Sequence, residues 1–166
     1  LTTGKPQVTE ILAAAPFAEN EVLAFAAAVE RHSEHPLAHA VLRAAEERGL
    51  TVPQAANFHA TVAGGISGEV NGRTVLAGKP DFLHSRGVSS LAALESAAAP
   101  HQAAGSSAIF VAVDGAPACA LIVSDPVKPT TPAALLELRD LGVKVVMMTG
   151  DHQRTAEHIA RQLKIA

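Results

Sequence analysis

A chain of 166 residues, 48% of them apolar, is long enough to bury a core and short enough to be one domain, or one domain with a fragment. Its 13 basic residues are scattered among 16 acidic ones for a net charge of −3, so no stripe of Lys and Arg exists to displace counterions from nucleic acid, which is excluded as a partner. One cysteine, Cys119, excludes an intrachain disulfide and a thiolate metal site, and no stretch approaches the roughly 20 apolar residues of a membrane span.

Five Phe and no Trp or Tyr leave the core to Leu, Val, Ile and closely packed Ala. The first six residues have neither a basic region nor an apolar one, and so do not read as a signal peptide. Residues 19–31 place Val22, Leu23, Phe25, Ala26 and Val29 at helical spacing. Pro36 then opens a second helix, carrying Leu37, Val41, Leu42 and Ala45, that Gly49 ends. The polar junction between them, His32-Ser33-Glu34-His35, is a place for exposed functional side chains.

From Asn57 the pattern shortens. Strands are expected at 58–62, 66–70 and 73–77, separated by Gly64-Gly65 and by the hairpin dipeptide Asn71-Gly72. Helices at 79–86 and 90–103 lead to a second hairpin, 107–113 and 116–123, about Asp114-Gly115. This is an α+β module with an antiparallel sheet flanked by helices. After Asp125-Pro126 a helix at 131–141, a continuous apolar strand at 143–148 and a helix at 152–163 read as part of a parallel α/β sheet.

Several groups carry candidate chemistry. Glu30 and His35 bracket the helix junction. On residue chemistry alone they are either solvated surface side chains or a purine site, a carboxylate accepting from the exocyclic amine and an imidazole lying at the ring. His32, His35 and His39 would share a face of a continuous helix, but Pro36 breaks it at His35. Gly64, Gly65 and Gly68 let backbone N–H groups approach phosphate oxygens, or simply turn the chain. Gly78-Lys79 puts a cation before Pro80, facing either phosphate or solvent. Thr149-Gly150-Asp151 ends an apolar strand, where ligands bind in parallel α/β sheets, and the next helix offers its positive end. Asp125 by itself reads as a helix-capping acid.

In order and spacing, Glu30-x-x-Ser33-Glu34-His35-Pro36-Leu37-Ala38, the glycine turn and Met148-Thr149-Gly150-Asp151 resemble the cytoplasmic ATP-handling part of heavy-metal-transporting P-type ATPases of the copper and zinc class. The resemblance runs the length of the chain. It implies that Glu30 and His35 contact adenine and that Gly65 and Gly68 match the second and third glycines of a Gly-x-Gly-x-x-Gly segment, with Ala63 in place of the first. Lys79 stands where the family commonly has Asn, and His152 replaces the usual Asn after Gly-Asp. Asp125-Pro126-Val127-Lys128-Pro129 resembles the family's hinge segment, which implies a contact of Asp125 with ribose or with the other hinge strand. Met148 to Asp151 also resembles the second motif of haloacid-dehalogenase-like phosphotransferases, which implies that Thr149 binds the transferred phosphoryl group and Asp151 helps organise the magnesium region.

The implied organisation is a remnant of the phosphorylation domain with hinge at 1–7, a nucleotide-binding domain at 8–123, and hinge with partial phosphorylation domain at 124–166. Leu1-Thr2-Thr3-Gly4 resembles the tail of the signature whose aspartate accepts the γ-phosphoryl group. The expectation is therefore a cytoplasmic segment of a membrane protein that binds ATP or ADP, with Mg²⁺ in the intact enzyme. It would work with the phosphorylation, actuator and membrane parts of its own chain and not turn over alone. Two alternatives compete: a soluble haloacid-dehalogenase-like phosphatase fragment, and a non-enzymatic metal-binding module built on the histidines.

Overall fold

A computed structural model of the chain describes residues 1–61, 64–148 and 153–165. The elements in order are β1 (Gln7–Ala13), α1 (Glu19–Glu30), α2 (Pro36–Glu47), β2 (Ala55–Thr61), β3 (Gly65–Val70), β4 (Arg73–Gly78), α3 (Pro80–Ser85), α4 (Ala92–Ala103), β5 (Ser107–Val113), β6 (Ala116–Ser124), α5 (Thr131–Asp140) and α6 (Gln153–Leu163). Six strands make one antiparallel sheet in the order β1-β6-β5-β4-β3-β2.

Helices cover both faces of this sheet, which explains why its central strands read as nearly continuous apolar runs. Along β5, Ile109, Val111 and Val113 join the core under α1 and α2, while Phe110 and Ala112 point into a second core with Leu83, Leu91 and Leu94. In α1, Val22, Leu23 and every residue from 25 to 30 are buried, because the helix lies between the sheet and α2. Ala26, Ala27 and Ala28 let both neighbours approach closely, as the alanine-heavy composition requires. Both hairpin dipeptides take positive φ at each residue, 52° and 75° at Asn71-Gly72 and 51° and 78° at Asp114-Gly115. These are the primed turns that match strand twist.

Two elements differ from the sequence reading. Strand β1 was not expected, because its apolar residues Val8 and Ile11 are three apart rather than two or four. A bulge between Val8 and Glu10 adds the extra residue and returns both side chains to the same core. Conversely, residues 143–148 form no strand: Val143, Val146 and Met148 are 48%, 70% and 97% exposed. A buried parallel strand needs flanking strands for its N–H and C=O groups, and none of the described residues pairs with this segment.

Residues 1–5 run beside 125–128. Thr2 bridges Val127, Thr3 N–H donates to the Pro126 carbonyl at 2.9 Å, and Lys128 N–H donates to the Leu1 carbonyl at 3.1 Å.

Candidate functional site

The junction of α1 and α2 is built by its own polar atoms. Ser33 N–H donates to the Glu30 carbonyl at 2.9 Å, closing α1, and His35 N–H donates to Ser33 Oγ at 3.2 Å. His35 then caps α2 with its imidazole: Nδ1 accepts from Leu37 N–H at 3.2 Å, and Pro36, with no N–H to satisfy, fills the first helical position. A neutral imidazole that accepts at Nδ1 carries its proton at Nε2. The exposed His35 ring therefore offers a flat face and an outward donor.

Glu30 is only 6% exposed, a rare setting for a carboxylate. Burial pushes its carboxyl above the ordinary range, and the Ser33 hydrogen bond draws it partly back. Ser33 thus links the closure of α1, the backbone of His35 and the Glu30 carboxylate, a role the sequence did not show although Ser33 lies inside the motif.

Strand β3 meets this junction at Gly68, where a Cβ would lie 3.0 Å from Val29 Cγ1 and 3.4 Å from the Ala56 carbonyl oxygen. Glycine here lets the strand reach the end of α1. Opposite Gly68, β2 bulges: the register passes from Ala56 against Glu69 to His59 against Ser67, leaving Asn57 and Phe58 across from one residue, with Asn57 at φ 51°. Phe58 packs on the α1 side and meets His32 in a tilted ring contact, centroids 5.5 Å apart and planes at 48°. This ring pair beside Glu30 was not legible from spacing, since it depends on the bulge.

At the other end of β3, Gly65 pairs with Gly78. A Cβ on Gly65 would fall 2.4 Å from the Ala77 carbonyl oxygen and 2.5 Å from Phe82 Cδ1, and one on Gly78 would fall 2.6 Å from the Gly64 oxygen. Lys79 N–H donates to that oxygen at 3.1 Å. Three glycines thus lie in close backbone contact under the Phe82 ring, while the Lys79 side chain stays exposed. From Gly65 to Gly68 the strand rises ~10 Å.

Asp125 sits apart from these groups. Its carboxylate accepts from Thr3 Oγ1 at 2.9 Å, Gly4 N–H at 3.1 Å and Lys5 N–H at 3.2 Å, so all its partners lie on the neighbouring segment. Thr149, Gly150 and Asp151, like Ala63 and His152, lie outside the described residues.

The arrangement suits a planar, amine-bearing base with an anionic tail. A buried acceptor and an exposed ring stand by Gly68 in the middle of β3, and glycine backbone covered on one face by the Phe82 ring stands at its start. Among the described residues no three His, Cys, Asp or Glu side chains gather where a metal ion could sit. His32 is turned to Phe58 and His35 to its own helix, so the three histidines do not converge. Asp151, which the resemblance assigns to the magnesium region, lies outside the described residues. Cys119 is fully buried and its thiol is pushed up by burial, which makes it inert.

A family model of haloacid dehalogenase-like hydrolases matches residues 1–166, and the chain belongs to that family. Within it the likeness is to heavy-metal-transporting P-type ATPases. The chain is 43% identical over 165 residues to copper-transporting ATPase 2 of Rhizobium meliloti (strain 1021), covering 99% of this chain and 20% of that protein. A zinc-transporting PIB-type ATPase in its E2.Pi state has the same fold over 99% of this chain and 26% of its own, at TM-score 0.86 and 35% identity. The N-domain of a copper-transporting P-type ATPase is matched over 99% of its length by 72% of this chain, at TM-score 0.63 and 28% identity. The chain thus spans about a fifth of the length of the curated relatives it matches. No helix among the described residues is long and apolar enough to cross a membrane.

Proposed function

We propose that this chain is the ATP-binding cytoplasmic segment of a heavy-metal-exporting P-type ATPase. The observation that carries this reading is Glu30, a carboxylate buried at the end of α1 beside an imidazole-capped helix and a glycine that a side chain would block. Adenine donates its exocyclic amine to Glu30 and lies at the His35 ring, and the phosphates run toward Gly64, Gly65 and Gly78.

The N-domain likeness supports the base site, and the whole-chain likeness to zinc and copper pumps supports the task of delivering ATP to an acceptor aspartate elsewhere in the parent protein. Catalysis of this kind is largely positioning. The segment brings the γ-phosphoryl group to the phosphorylation domain, where Thr149 binds it as it transfers and Asp151 organises the surrounding charge. Magnesium, when bound, neutralises the charge that develops on the phosphates. Residues 1–7 are a remnant of the phosphorylation domain with hinge, 124–166 are hinge with part of the phosphorylation domain, and metal export follows from the phosphorylation cycle in the membrane part.

Heteronuclear NMR titration with ATP, with and without chelator, tests the reading on wild type, Glu30→Ala and His35→Gln. Shifts confined to the α1–α2 junction and β3, unchanged by chelator and weakened in both variants, are expected. Binding of Zn²⁺ or Cu²⁺ that displaces nucleotide would favour the histidine module instead.

A further inference from the structure

At the α1–α2 junction, Ser33 bonds to both residues proposed to meet the base. Its N–H donates to the Glu30 carbonyl at 2.9 Å, which fixes it against the last turn of α1. Its Oγ accepts from the His35 N–H at 3.2 Å, and a hydroxyl oxygen that accepts still has its own proton to give. That proton goes to the Glu30 carboxylate. The spacing Glu-x-x-Ser-x-His lets one hydroxyl serve both neighbours.

A carboxylate only 6% exposed needs a donor at hand to keep its charge. The other titratable groups of this end are Arg31 and His32 at the close of α1, Glu34 and His35 in the junction, His39 and Arg43 on α2, and His59 and Glu69 on β2 and β3. His32 meets Phe58, the His35 Nδ1 accepts from Leu37, Arg43 donates to the Pro6 carbonyl at 2.7 Å, and Glu69 accepts from Asn57 Nδ2 at 3.0 Å. Burial and the Ser33 hydroxyl are what act on the Glu30 carboxyl, in opposite directions.

The charge on Glu30 decides which purine fits. Ionised, it only accepts, so it takes the exocyclic amine of adenine, whereas the O6 carbonyl of an oxo purine would set acceptor against acceptor in a buried place. Protonated, it has an O–H to donate, and the oxo purine becomes the better match.

We infer that Ser33 is a positioning residue for base recognition: by donating to Glu30 while holding the His35 backbone, it keeps Glu30 an acceptor and makes the site select amino over oxo purines. This rests on the proposed nucleotide site and adds the determinant of its base specificity.

The test is calorimetric titration of the 166-residue chain with ATP and inosine triphosphate, from about pH 5 to about pH 8, for wild type, Ser33→Ala, Ser33→Thr and Glu30→Gln. The two nucleotides share ribose and phosphates, so the ratio of their affinities cancels the titration of the phosphates and reports the base alone. Near neutral pH the wild type should bind ATP at least about tenfold more tightly than inosine triphosphate. Ser33→Ala should weaken ATP about tenfold and change inosine triphosphate less than twofold, and the retained binding shows that the variant is folded. Ser33→Thr keeps the hydroxyl and should recover most of the ATP affinity. As pH falls and Glu30 takes up its proton, the preference for ATP should fade, and in Ser33→Ala it should fade at a higher pH because the opposing donor is gone. Glu30→Gln, whose amide both accepts and donates, should bind the two nucleotides within about twofold of each other throughout. A Ser33→Ala variant that weakens both nucleotides alike, or keeps the wild-type ratio and its pH midpoint, would overturn this assignment and leave the site standing. A wild-type chain that binds neither would overturn the site and this assignment together.

Discussion

Glu30 sets the terms of the site because it is costly where it stands. Its carboxyl titrates higher in the folded chain than the 4.5 of a free glutamate, so the folded state holds the proton more tightly than the unfolded one. The associated stability is complete below about pH 4.5 and is lost as pH rises through the folded value; at neutral pH a charge is kept largely out of water. Glu30→Gln should therefore be more stable than wild type at pH 7, with an advantage that shrinks as urea midpoints are taken down toward pH 4. ATP affinity should fall at the same time, because an amide accepts less strongly than a carboxylate. A variant that loses both stability and affinity would mean that the carboxylate is structural. Gly65 poses the opposite case, a missing side chain. Ala there would drive a methyl into the Ala77 carbonyl, which the β3–β4 ladder holds in place, and into Phe82. Gly65→Ala should cost about 1–3 kcal/mol in denaturant unfolding, the usual range for overpacking.

Among elements, the α1–α2 hairpin is both the lid of one core and the carrier of the base site. Leu23 is fully buried in α1, and Leu23→Ala should cost about 2–5 kcal/mol by the cavity it leaves. His35→Ala removes an N-cap acceptor from Leu37, a loss of about 1 kcal/mol. A stability change of that size accompanied by a much larger loss in ATP affinity would separate capping from binding. The crossing of residues 1–5 over 125–128 depends on Asp125. Asp125→Ala should speed amide exchange at Gly4 and Lys5 while leaving ATP affinity within about twofold. A large affinity loss would instead point to a ribose contact.

Over the whole molecule, a ligand that binds only the folded chain stabilises it by mass action, about 2.7 kcal/mol at a hundredfold excess over Kd. ATP should raise the midpoint of thermal unfolding without release of inorganic phosphate. Sustained hydrolysis by the 166-residue chain would refute the division of labour proposed for it. Most of this architecture was legible in the sequence where the signal is local. The primed turns at Asn71-Gly72 and Asp114-Gly115 follow from two-residue chemistry, the helix ends at Pro36 and Gly49 from backbone constraints, and the chain-long motif order from side chains needed at set spacings. What stayed hidden needed partners distant in the chain. Strand β1 shows its periodicity only once β6 accommodates its bulge, and the apolar run at 143–148 looks like a strand but pairs with none of the described residues. Likewise, the sequence named Glu30, His35 and the glycines as candidates through their resemblance to a family motif, since residue order is a property of the chain itself. Only tertiary packing decided that Glu30 is buried, that Phe58 meets His32, that Asp125 holds Thr3, Gly4 and Lys5, and that Phe82 covers Gly65 and Gly78. Burial and long-range contact are set by which surfaces the folded chain brings together.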